Sequence, residues 1–120
     1  MPRPDVFLKQ GDTAPALVDT LRDQDDVPVS ITDATVRLLV APIDGPRSQA
    51  VAYEAENLED TEDAETTGLV RYQWQEGDTD VPGVKLAEWE VTFLTGGVLT
   101  FPNGGYLLLL VSPQLEAPVP

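Results

Sequence analysis

Residues 84–94 alternate without a break: Ala87, Trp89, Val91 and Phe93 fall on one side, Glu88, Glu90 and Thr92 on the other. A strand turns successive side chains to opposite faces, whereas a helix repeats every 3.6 residues and would scatter this pattern around its axis. The same period of two returns in residues 34–41, with Val36, Leu38 and Val40 opposing Arg37 and Leu39. It returns again in residues 50–56 and in residues 69–75, where Val70, Tyr72 and Trp74 oppose Arg71, Gln73 and Gln75. No window of helical length carries an apolar stripe, and no internal repeat is visible. The chain is therefore expected to be all-β.

Between these runs lie turn signals. Asp44-Gly45-Pro46, residues 76–83 with Gly77 and Pro82-Gly83, Thr95-Gly96-Gly97 and Pro102-Asn103-Gly104-Gly105 each interrupt an alternating segment. Gly admits backbone conformations closed to other residues, and Pro fixes φ and removes a donor, so these are places where a ladder stops. Residues 5–9 read as a short edge strand, and in residues 16–22 Leu17, Asp19 and Leu21 share a face. Residues 98–101 pair back on 84–94 across the hairpin, and 106–111 close the domain. About seven to nine strands with short connections predict an immunoglobulin-like two-sheet antiparallel sandwich, with a small closed barrel as the rival. Trp74, Trp89, Tyr72 and Phe93 are the expected core. Residues 57–67 are acidic with little to bury, and are expected to form a mobile connection with at most one helical turn. All 120 residues are read as one domain, with 1–4 and 113–120 as loose tails.

Composition then removes whole classes of function. The chain has no cysteine and no histidine, which excludes disulfides, thiolate sites, a Ser-His-Asp triad and an HExxH zinc site. Twenty-one acidic residues stand against 7 basic ones, a formal net charge of −14. Phosphate backbones and anionic membrane surfaces are held by clustered Lys and Arg, so nucleic acid and membrane binding are not expected. The longest apolar run is too short to span a bilayer, and the N-terminus lacks the apolar stretch of a secretory signal. Synthesis in a cytoplasm is expected. The charge itself favours basic partners.

Three acidic groupings are candidates for chemistry. Asp23, Asp25 and Asp26 could offer oxygens to calcium, but lack the EF-hand spacing, and Asp is common in turns because it caps backbone amides. Glu76, Asp78 and Asp80 sit on one Gly/Pro loop, where a capped turn is expected rather than a paired-carboxylate hydrolase. Glu88 and Glu90 lie on the outer face of a strand. No catalytic residue, cofactor site or metal site is therefore expected, and the chain is read as non-enzymatic.

The strings DTLRDQDDVPVSITDATVRLLV and GLVRYQWQEGDTDVPGVKLAEWEVTFLTGGVLTFPNGGY, in that order, resemble the N-terminal domain of the phage baseplate upper protein family. The resemblance covers residues 16–111. It implies an immunoglobulin-like β-domain without enzymatic activity, located in a virion. Because the chain ends directly after the domain, it implies a small accessory, decoration or connector module of capsid, neck, tail or baseplate. Its partners would be other virion proteins or a second copy of itself. The alternative is a carbohydrate- or calcium-binding β-sandwich that mediates adhesion to a host surface.

One strand breaks the rule of one wet face. Residues 106–111 are apolar on both sides: with Leu107, Leu109 and Val111 inward, Tyr106, Leu108 and Leu110 face out. Neighbouring strands would add Leu39, Leu86 and Leu94 on the same outer surface. These six residues are the expected partner interface. The competing expectation is that residues 6–8 or the proline-rich tail fold back over them as a lid.

Overall fold

The computed structural model describes residues 5–115. Eight strands carry the alternating segments: β1 (Val6–Lys9), β2 (Leu17–Thr20), β3 (Thr35–Pro42), β4 (Val51–Asn57), β5 (Leu69–Tyr72), β6 (Gly83–Thr92), β7 (Val98–Phe101) and β8 (Leu107–Ser112). The ladder runs β1-β8-β6-β3-β4-β5-β2, with β7 beside the second half of β6. All pairings are antiparallel except that of β1 with β8, which is parallel.

The all-β expectation is met, but the two sheets are joined. Val51 to Ala55 of β4 pair with β3, while Glu56 and Asn57 pair with Arg71 and Val70 of β5. One strand thus serves both layers, and the mixed sheet curls so that β2 and β5 lie across β6. The crossing is fixed by the Trp89 indole, which donates to Asp19 Oδ2 at 3.0 Å. Leu17 and Leu21, beside Asp19, join the same core as Trp89.

The alternation chose the core correctly except at Phe93, which lies just past the end of β6 and is only partly buried against the core. Trp89, Val91, Leu38 and Val70 are fully enclosed, and Tyr72, Trp74, Leu109 and Val111 are buried with them. Burying large apolar and aromatic side chains is the main force holding such a domain together.

Residues 57–67 are ordered, contrary to the mobile connection expected. Their anchor is Glu59. Its Oε1 accepts from the amides of Ile31 at 3.0 Å and Gly68 at 2.9 Å. Its Oε2 accepts from the hydroxyls of Thr32 at 2.7 Å and Ser30 at 3.0 Å. Asn57 Nδ2 donates to the carbonyls of Ile31 and Ala34. Residues Ala64–Thr66 form a single 3-10 turn capped by Asp63. Gly68 closes the loop at φ +75°, where an added Cβ would stand 2.8 Å from the Leu21 carbonyl and 2.9 Å from that of Val29.

The two Asp-rich turns are built by side-chain capping. Asp23 Oδ1 accepts from the amides of Asp25 and Val27, and Asp26 takes φ 63°. Asp78 Oδ2 accepts from the Gln75 amide and the Tyr72 hydroxyl. The tails expected at residues 1–4 and 116–120 lie outside the described residues; 113–115 follow β8 as exposed chain.

Candidate functional site

The outer face of β1, β8, β6 and β3 can be read row by row from the register. Phe7, Leu110 and Val84 stand side by side, and the next row is Leu108, Leu86 and Ala41. Then come Glu88 and Leu39. The row after that is charged: Arg37 donates to Glu90 at 2.6 and 2.9 Å. An apolar block therefore occupies one half of the face and gives way to an ion pair on the other. Phe7 is 58% exposed and Tyr106 44%, while Leu39, Leu108, Leu110 and Val84 are half-buried.

Of the six residues expected at the interface, five meet here. Leu94 does not: it sits in the β6–β7 turn at the far end of β6, 79% exposed. It has the right phase but lies past the end of the strand. Leu86 is buried, because the connection between β3 and β4 folds back over it. That connection carries the 3-10 turn Arg47–Gln49, and Arg47 lies over the Tyr106 ring at 5.4 Å. A dent of about 100 Å³ remains, floored by Leu39, Ala41 and Leu86 and walled by Arg47, Ala50 and Tyr106, with Glu88 at its margin.

No lid forms from residues 6–8. They become edge strand β1, with Val6 and Leu8 packed inward and only Phe7 outward. The sequence pattern of a single strand showed that Phe7 alternates with its neighbours. It could not show that the segment would extend the same face as Leu110.

A second group gathers at one end of the core. The Tyr53 and Tyr72 rings stand 5.2 Å apart, and Tyr72 is bonded to Asp78. Burial, reinforced by the Asp78 charge, raises the pKa of both phenols above the ordinary tyrosine value. Lys85 shares the inward phase of Ala87 and Trp89, and burial holds its pKa below the usual lysine range, with the Asp78 charge opposing the shift. It lines a pocket of about 310 Å³ with Val40, Val51, Tyr53 and Val81. Sequence reading missed Lys85, because its inward phase was visible but was assigned no role. Among the described residues, no group of three or more acidic side chains is placed to hold a metal ion, and no helix is long and apolar enough to cross a membrane.

The class these features define is an all-β domain with one partly covered apolar outer face. No family model matches the chain, and no curated protein matches it. Among solved structures, CopC from Methylosinus trichosporium OB3b is similar with a TM-score of 0.49 and 11% identity, over 97% of this chain and 91% of that one. The expected role as a phage virion module is withdrawn: none of these comparisons bears on the baseplate upper protein family, and the likeness found is to CopC, not to a virion component. At this level of likeness, no ligand or role of CopC passes to this chain.

Proposed function

We propose that this chain is a non-enzymatic, immunoglobulin-like β-module that docks a basic partner protein on the outer face of β1, β8, β6 and β3. The observation that carries the reading is the apolar block of Phe7, Leu108, Leu110, Val84 and Leu39, contiguous across four strands. Exposed apolar patches of this kind mark interaction surfaces. Charge selects the occupant. With a net charge of −14, a second copy is repelled, while a partner rich in Lys and Arg is attracted and steered. The missing nucleophile–base pairs, with neither His nor Cys in the chain, support a binding role over catalysis.

A synthetic peptide of alternating Lys and Leu, titrated into isotope-labelled protein, tests this by NMR. Saturable shifts should map to Leu39, Val84, Leu108 and Leu110, weaken with salt, and be absent with a Glu/Leu peptide. The double change of Leu108 and Leu110 to Glu should abolish them without unfolding the domain, since both side chains point away from the core. Shifts confined to other faces would overturn the reading.

A further inference from the structure

Lys85 precedes Ala87 and Trp89 on the inward phase of β6, and the ladder sets it between Pro42 of β3 and Leu109 of β8. Long cationic side chains ordinarily carry their charge out to water. This one is half-buried and lines the cavity of about 310 Å³ at the end of the core. To that lining β4 contributes Val51 and Tyr53, and the β5–β6 connection contributes Val81 and Pro82. The Lys85 amine forms no ion pair among the described residues. Burial holds its pKa below the usual lysine value, with Asp78 opposing, so more of it is the unprotonated nucleophile than in a solvated lysine. Asp44 shares the lining, so one carboxylate stands against one amine and the cavity selects no ionic charge. The net charge of −14 further disfavours an anion. A neutral occupant with an apolar body suits these walls.

We infer that this cavity is a covalent capture site for small neutral aldehydes, with the apolar part against Val51 and Val81 and the carbonyl carbon at Lys85 Nζ. The unprotonated nitrogen attacks the carbonyl carbon, and a proton passes from nitrogen to oxygen through water to give a carbinolamine. Loss of that hydroxyl with the remaining nitrogen proton, as water, forms the C=N bond of an imine. Nothing is oxidised or reduced. The volume lies at the lower end of those that hold small molecules, about 300–1,000 Å³, so the occupant is small. The inference does not rest on the docking reading: of the docking face, only Ala41 and Val84 border this cavity.

Lys9, exposed at the end of β1, is the other lysine of the chain and serves as the internal reference. The full chain is incubated at neutral pH with benzaldehyde and cyanoborohydride, which reduces the imine to a stable secondary amine. Peptide mass spectrometry then reads the rate of modification at each lysine. Benzaldehyde should modify Lys85 roughly tenfold faster than Lys9, the margin that one apolar group seated in a pocket supplies. Glyoxylate, an anionic aldehyde with no apolar body, should modify Lys85 no faster than Lys9. Benzyl alcohol, which has the same ring and no carbonyl, should protect Lys85 in a saturable way and leave Lys9 unprotected. Equal rates at the two lysines with benzaldehyde overturn the site. The same excess at Lys85 for both aldehydes, without protection by benzyl alcohol, refutes it too, since Lys85 would then be only a more nucleophilic amine. Both outcomes are read on the unaltered protein.

Discussion

Asp19 and Trp89 show how one polar contact organises a core. Asp19 lies in phase with Leu17 and Leu21, and so turns inward beneath β6, where it accepts from the Trp89 indole. Burial raises its pKa above the ordinary 3.8, and the bonds from Trp89 and Thr20 and the nearby Arg22 only partly offset this. The folded state therefore takes up this proton before the unfolded chain does, so Asp19 disfavours folding at neutral pH and does so less as pH falls through its raised value. Asp19→Asn keeps an acceptor and removes the charge. It should raise the melting temperature at pH 7, by a margin that shrinks as the medium is acidified towards 3.8. A margin that grows on acidification would refute the assignment. Replacing Trp89 itself with Ala should cost about 3–5 kcal/mol by denaturant titration, a large share of a small domain's stability.

At the scale of elements, the acidic connection between β4 and β5 behaves as a clasp. Burial of Glu59 would raise its pKa, but the amides of Ile31 and Gly68 and the hydroxyls of Thr32 and Ser30 outweigh that and hold it below the ordinary 4.5. This contribution is complete above 4.5 and is lost as pH falls through the lowered folded value, the opposite sense to Asp19. Glu59→Gln should therefore lower stability at neutral pH by about 1–2 kcal/mol and flatten the acid limb of a melting-temperature profile. Hydrogen exchange should also speed up at the Ile31 and Gly68 amides. Unchanged exchange there would mean that the clasp is not formed. Nothing in the local sequence marked Glu59 out from the other carboxylates around it. Its partners come from the β2–β3 connection and from Gly68, brought together only by the fold.

Across the whole molecule, the dominant quantity is charge. Seven basic residues cannot neutralise 21 acidic ones, and Arg22, Arg37 and Arg71 are each in an ion pair with a neighbouring carboxylate. The rest repel one another in the compact state. Screening should therefore stabilise the domain: the melting temperature should rise by a few degrees between low and moderate salt, measured with chloride salts that are not strongly excluded from the surface. A fall over that range would mean that the ion pairs contribute more than the repulsion.

The period of two determined, from the residues alone, that the chain is all-β and which face of each strand enters the core. These follow from strand geometry, in which facing is local and every inward residue is two positions from the next. The placing of Asp19 and Lys85 inward was equally legible as phase, but its consequence depended on what lay opposite. Only the tertiary structure decided that β4 would serve both layers, that β1 would extend the outer face, that residues 57–67 would lock onto Glu59, and that Arg47 would settle on Tyr106 to leave a socket above Leu86. Each of these joins groups far apart in sequence, and such contacts form only after chain closure has brought together segments whose own alternation says nothing about one another.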